Sequence, residues 1–466
     1  MGDSVTKVEV CIVGAGPAGL ACALQLLERG ISVLILEIGS KKTRRQCQME
    51  RNGRCDGCND MCETLTGLGG CIDPQEGIKL SFYPCSRKLS RLIGTSKMQK
   101  YSLSILKKIE RVTKKTLHMD SDKIPAFVEE AFCNNGLRIR PYPVTIMDKH
   151  GTTSYLSYCR EQLHDVVKFE SPVTSISKKD DRWSLKVSGM NGGHIIANSI
   201  VVATGRVGGA RRNLMDLNLK YEEQNIHLGL RFILPNKYLT ILNNFSSDLK
   251  IENTKERIKT FCLCAGKGGG KVKFMRYNGF SGHNIISIDG CVDTSEHHEN
   301  CFGNFALLLE FDDINYAYRD KFIGKYLKLS SGIPIKQTYI DFKNKVDNCK
   351  CKINEPDYVD NIKWGKLFSL FESNHHHMLC ENFSKILSSI NRLSGNNFDI
   401  NQIERETIVL GPEVEFFWDK ISLTKDCETS IQNCYVAGDM AGYSQGIISS
   451  MIMGELVADT ISERIS

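Results

Sequence analysis

Four cysteines, Cys47, Cys55, Cys58 and Cys62, crowd one short stretch of the chain. Four thiolates at such spacing can satisfy Zn²⁺ or an iron–sulfur cluster, and Cys55-x2-Cys58 is the usual two-ligand hook. A loop has little core of its own, so a metal staple would have a structural use there. The spacing matches no ferredoxin run, and two alternatives stay open at the same residues: a redox-active thiol pair, or small buried thiols that merely pack. Cys262 and Cys264 form a second pair, two apart and so on one face if the segment is a strand. Cys264 is a candidate catalytic thiol, further cluster ligands are a second reading, and two small buried residues a third. His150 precedes Gly151-Thr152-Thr153 and a predicted helix. It is placed to relay a proton to a substrate or, alternatively, to hydrogen-bond a loop. The run His375-His376-His377 lies in a predicted helix, where successive side chains point apart, so the three cannot share one metal.

These groups need elements to position them, and the N-terminus is the most legible. Residues 8–13 are an apolar, β-branched run that reads as a buried parallel strand. Gly14-Ala15-Gly16-Pro17-Ala18-Gly19 follows, then a helical pattern to Leu27, then a second strand ending on Glu37. Each part has a physical job in holding a dinucleotide. Gly14 allows the tight turn, Gly16 lets the backbone approach a pyrophosphate, and Gly19 lets helix and strand pack closely. The helix start offers free N–H groups to phosphates. Glu37 can accept hydrogen bonds from an adenosine ribose, and its charge disfavours a 2′-phosphate.

Two later stretches point to FAD rather than NAD. The strand before Gly438-Asp439 and the small-residue helix after it resemble the second FAD motif of the glutathione-reductase-like flavoprotein superfamily. The resemblance implies that Asp439 contacts the ribityl–pyrophosphate region and that the helix starting near Gly446 and Ile447 points its N-terminus at the flavin. Ala203-Thr204-Gly205 ends another strand and resembles the ATG motif of the same superfamily, preceded by a small meander over residues 166–198. No second G-x-G-x-x-G is present, so any NAD(P)H would bind transiently, near the substrate, as an electron donor.

Length and composition bound the rest. At 466 residues the chain has room for two or three domain-sized units. The net charge of +6 is mild and the basic residues are scattered, which argues against nucleic acid as the main partner. The apolar N-terminal stretch has neither a signal peptide's basic flank nor an uninterrupted span, so no membrane association is expected and the location reads as cytoplasmic. Nineteen cysteines in a reducing compartment are not a disulfide framework.

Several stretches together resemble the uncharacterised FAD-dependent, NAD(FAD)-utilising dehydrogenases of that superfamily. They are GAGPAGL at the start, the Cys-rich run ending in Gly67-Leu68-Gly69-Gly70, ATGRVGG, IHLGLRF, TFCLCAGKGGGKV, PEVEFFWDKISL and TSIQNCYVAGDMAGYSQGI. His150 matches a histidine of that family. This sequence departs at Cys71, where the family has alanine, and at CLCAGKGGG. The resemblance implies an α/β fold: a discontinuous Rossmann-type FAD-binding domain with an inserted α+β, antiparallel-sheet substrate domain. The FAD-binding part is expected over 1–100, 150–212 and 405–466, with the Cys-rich loop 45–71, and the cap over 101–149 and 213–404. Strands are predicted at 225–235, 271–280 and 304–311 and helix at 313–328 and 362–394. Isoalloxazine is expected near Gly67, Gly69, Gly70 and Gly438–Gly446. The expected function is hydride transfer between FAD and an organic small molecule, with dehydrogenase or reductase preferred to oxidase or monooxygenase. The alternatives are an electron-transfer or redox-sensing protein, with FAD and a Cys-ligated centre serving a protein partner, and a flavin-stabilised RNA-modifying or scaffold protein.

Overall fold

The computed structural model describes residues 5–41, 47–58, 61–120, 123–189, 192–206, 217–280 (the side chains of 278–280 aside), 283–295, 301–312, 316–347 and 353–466. Residues 42–45 and 209–213 and the end of the ATGRVGG stretch lie outside them.

Strand Val5–Val13 runs parallel to Val33–Leu36 on one side and to Gly193–Val202 on the other. Its second half, Val10 to Val13, is apolar and buried, as a parallel strand covered on both faces requires. Strand Gly193–Val202 divides its far edge. Residues 193–197 pair antiparallel with Arg182–Val187, and residues 200–202 pair parallel with Cys434–Val436. The chain thus returns from its far end to the middle of its first sheet. Helices Pro17–Leu27 and Ile447–Ile465 lie so close that a Cβ on Gly454 would sit 2.2 Å from the Ala18 carbonyl oxygen.

The second sheet has seven antiparallel strands in the order Ile335–Thr338, Ile408–Glu415, Ile226–Pro235, Phe302–Phe311, Ile258–Cys264, Lys250–Asn253 and Arg138–Arg140. Helix Ser373–Leu393 covers one face, with Phe383 stacked on Phe232 at 4.4 Å between ring centroids. The hairpin Gly270–Phe280 with His283–Val292 adds a separate ribbon.

Three expectations are displaced. Strand Ile408–Glu415 belongs to the antiparallel sheet, although residues 405–466 were expected with the first. Its residues are all buried, and only a central strand of that sheet buries both faces. Helix Thr95–Thr113 crosses the expected boundary at 101 and buries Tyr101, Ile105 and Ile109 in the core of the first sheet. The predicted helix 362–394 begins only at Ser373. Before it, Lys363 and Gly365 bond to the backbone of Lys336 and extend the sheet edge instead. Among the described residues no helix is long and apolar enough to cross a membrane.

Candidate active site

One cavity of about 640 Å³ runs from the ends of the parallel strands to the antiparallel sheet. Its floor is the turn Gly14–Ala18 with Glu37, Gly70, Ala203–Gly205, Gly438, Asp439, Gly446 and Ile447. The two sheets bring these together from all three sequence motifs. Gly19, Gly67 and Gly69 stand behind that floor rather than in it.

Two glycines of the first turn are there for different reasons. A Cβ on Gly19 would lie 2.0 Å from the Gly14 carbonyl oxygen, so the fold itself forbids a side chain. Gly16 has an ordinary extended backbone, φ −77°, and a Cβ there would meet nothing nearer than Gly70 Cα at 3.9 Å. No protein atom demands glycine at 16. The space it leaves opens into the cavity, which is the shape a pyrophosphate cradle needs. No side chain caps the helix that starts at Pro17, nor the one that starts at Ile447, and both starts face the cavity. Their orphan N–H groups favour an anion.

Glu37 is almost fully buried and holds the floor together. Its carboxylate accepts from the N–H groups of Ala15 at 2.7 Å, Gly39 at 2.7 Å and Gly67 at 2.8 Å. The Gly69 N–H in turn donates to Ala15 O at 2.9 Å. The tail of the Cys-rich stretch is therefore locked onto the glycine turn through Glu37, a role that spacing alone did not reveal.

Asp439 is ion-paired to Arg206 through one oxygen. The other, Oδ1, is buried with no hydrogen-bond partner. A bound hydroxyl would satisfy it, and a ribityl chain carries such groups. Arg206 also reaches Glu415 at 3.0 Å and the Tyr277 hydroxyl at 3.1 Å, and Gln445 donates to Glu415. Beside it Arg231 grips Glu413 with two bonds of 2.8 and 2.6 Å, donates to Asn304 at 2.7 Å, and lies 3.7 Å from Asp289. Burial pushes Glu415 up to about 8 against the pull of Arg206. Arg206, Arg231, Glu413 and Glu415 fall in stretches that carried the family resemblance, but spacing singled out none of them, because they come from two separate strands and a turn.

The expected catalytic residues do not gather in the cavity. His150 is exposed in the first turn of helix Lys149–Leu163, outside the cavity lining. Cys264 does line the cavity, but its thiol is buried, donates to Cys262 O at 3.3 Å, and has its pKa raised chiefly by desolvation. That setting stabilises the thiol rather than a nucleophilic thiolate. Nor do Cys262 and Cys264 share a regular strand face, because the register slips between Phe261 and Cys264, where Cys262 has φ +45°.

The cysteines of the expected metal set, Cys47, Cys55, Cys58 and Cys62, line one small pocket together. Among the described residues no group of three or more His, Cys, Asp or Glu side chains is arranged to hold a metal ion. Packing competes for these thiols instead. Cys62 Sγ accepts from the Arg276 N–H at 3.3 Å and lies 3.0 Å from Thr64 Oγ1. Cys47 and Cys55 pack against a small core around Met49, and burial raises Cys47 to about 12.

One known family bears on the cofactor. Residues 7–59 match the model of a family described as an FAD binding domain. No curated protein matches the chain. Among solved structures, p-nitrophenol 4-monooxygenase PnpA from Pseudomonas putida DLL-E4 is 12% identical, over 99% of this chain and 82% of that one, with a TM-score of 0.39. A Photorhabdus luminescens subsp. laumondii TTO1 protein assigned as an FAD containing monooxygenase is 10% identical, over 98% and 89%, with a TM-score of 0.39. CtdE, solved in complex with FAD, is 10% identical, over 99% and 89%, at 0.37. Likeness at these scores transfers neither substrate nor mechanism. One expectation is nevertheless corrected: the preference for a dehydrogenase or reductase finds no counterpart among these structures, two of which are named as monooxygenases, and it is dropped. The chain is an FAD-dependent flavoprotein.

Proposed function

We propose that FAD lies along the cavity floor and that a small organic molecule occupies the rest of the same cavity. In this reading the discontinuous Rossmann-type arrangement is the cofactor's housing. Gly16 and the uncapped helix starts at Pro17 and Ile447 hold the phosphates, Glu37 fixes the turn beneath the adenosine, and Asp439 takes a ribityl hydroxyl. The observation that carries the reading is the open space at Gly16, where no protein contact asks for glycine. When bound, FAD supplies two-electron chemistry at its isoalloxazine ring. The chain's own contribution is position and electrostatics: the Arg206 ion pairs fix Asp439 and Glu415, and the antiparallel sheet closes the cavity over the substrate.

The purified protein should show a flavin spectrum. Gly16→Val should lower FAD affinity at least tenfold while circular dichroism stays unchanged. Retention of full FAD affinity by that variant would overturn the cradle. Monooxygenation, the activity named for two of the solved structures, is the reaction class to assay first. Substrate-dependent uptake of O₂ with one ¹⁸O atom in the product supports it, and product free of ¹⁸O rejects it.

A further inference from the structure

The roof of the cavity carries more positive charge than its own acids can neutralise. Arg140 and Lys250 stand directly opposite on neighbouring antiparallel strands, and Glu252 stands opposite Lys259 on the next pair. Residues 250 and 252 share one face of their strand, so all four side chains sit on the same side of the sheet. Arg140, Lys250 and Lys259 face the cavity, and Lys88 joins them from the short helix Arg87–Ile93. The carboxylates on that face are already engaged: Glu252 is taken by Arg140 at 2.6 Å and by Arg87 at 3.5 Å, and Glu310 by Arg257 at 2.8 Å and the Asn225 side-chain amide at 2.7 Å. Asp248 is taken by Lys79 at 3.4 Å and by the Tyr142 hydroxyl at 2.8 Å.

Among the described residues, no carboxylate lies within ion-pair distance of Lys88, Lys250 or Lys259. What they have instead is neutral. Lys88 Nζ donates to Gln224 at 2.8 Å and lies 3.5 Å from the centre of the Phe416 ring. Lys250 Nζ is 4.9 Å from the centre of Phe261. Lys259 Nζ is 2.9 Å from His227 Nδ1, and burial holds His227 neutral, with its pKa lowered to about 3. Arg140 Nε is buried with no partner. Directly opposed like charges destabilise a sheet, and desolvation and mutual repulsion depress both Lys250 and Lys259. A fold that keeps three such ammonium groups around one cavity is short of an anion there.

We infer that this lobe binds the carboxylate of an organic acid, with Lys88, Lys250 and Lys259 around the charged group and Phe261 and Phe416 against its apolar or aromatic body. The inference rests on the preceding reading for the role of that acid as substrate, but not for its binding. Phosphates of the cofactor could supply the same negative charge, so the experiment separates the two sources.

The probes are benzoate and its neutral isostere benzamide, titrated by calorimetry and by the flavin absorption bands into the FAD-loaded protein and into a Lys250→Met, Lys259→Met double variant. Benzoate should bind the wild type at least tenfold more tightly than benzamide. The double variant should lose at least tenfold in benzoate affinity at unchanged FAD affinity. Equal binding of benzoate and benzamide, or a double variant that keeps benzoate affinity, overturns the inference. So does a double variant that loses FAD affinity, which would give the lysines to the cofactor. The single variant Lys250→Gln repeats the test at smaller amplitude if the double variant fails to fold. If the protein never takes up FAD, the reading of the cavity floor fails, while calorimetry with benzoate still judges this lobe.

Discussion

The two ends of the cavity treat buried charge in opposite ways. Around Arg206 and Arg231, four acids meet two guanidinium groups, and nearly every polar atom is partnered by the protein: Glu413 by Arg231 in a fork, Glu415 by Arg206 and Gln445, Asp289 near Arg231. Around Lys88, Lys250 and Lys259 the imbalance is positive, and the partners are an amide, two aromatic rings and a neutral imidazole. The first end is closed on itself and works as structure. The second is incomplete without something the chain does not contain. A charged cluster is thus read by asking which atoms lack partners, not by counting charges.

The sharpest way to break this comparison is to remove one cation from each end. Arg231→Met leaves Glu413 buried and unpaired, which should cost about 3–5 kcal/mol. Lys250→Met removes a like charge opposite Arg140 and should change stability by less than about 1 kcal/mol, toward higher stability. Denaturant unfolding of both variants checks this. If Lys250→Met is destabilised as much as Arg231→Met, the positive lobe is structural after all.

Asp439 is the exception within the closed end, since its Oδ1 lacks a partner. Asp439→Ala should therefore weaken FAD binding by a margin that reflects a hydrogen bond to a charged group, about 1.5–3 kcal/mol. Titration of the apoprotein with FAD reads it, and undiminished affinity would place the cofactor's hydroxyls elsewhere. A smaller effect is expected from sulfate. It should raise the melting temperature of the wild type by a few degrees, roughly the response to 1 kcal/mol. The Lys250→Met, Lys259→Met variant should respond less.

The sequence made the floor readable and the roof almost unreadable, for a physical reason. The floor is built from local motifs, in which Gly14, Gly16, Gly19 and Glu37 sit within one strand–turn–helix–strand unit whose spacing is set by helix and strand geometry. Even there, the three backbone bonds to Glu37 depend on the loop from 67 to 70 arriving from elsewhere. The roof draws Lys88 and Arg140 from elements far in the chain from the neighbouring strands that carry Lys250 and Lys259, and each alone looks like a solvated surface lysine or arginine. The register that sets Lys250 against Arg140 exists only once the sheet has formed. The cysteines are the opposite case. Dense in sequence, they suggested a ligand set, but the fold spends Cys62 on the Arg276 N–H and packs Cys47 and Cys55 around Met49.

The smallest effect tests the positive lobe by pH. Burial lowers the Lys88 pKa to about 8, below that of a free lysine. A base with a depressed folded-state pKa binds fewer protons folded than unfolded between the two values, so its stability penalty is full below pH 8 and fades as pH rises toward about 10.4. Lys88→Met escapes that penalty. Its melting temperature should exceed that of the wild type at pH 7, and the gap should narrow between pH 8 and pH 10. Benzoate should narrow the gap at pH 7 as well, because an anion beside Lys88 restores the ammonium's lost interactions in the wild type alone. A gap that stays constant with pH would mean that Lys88 is solvated and that the lobe carries no unpaid charge at that position.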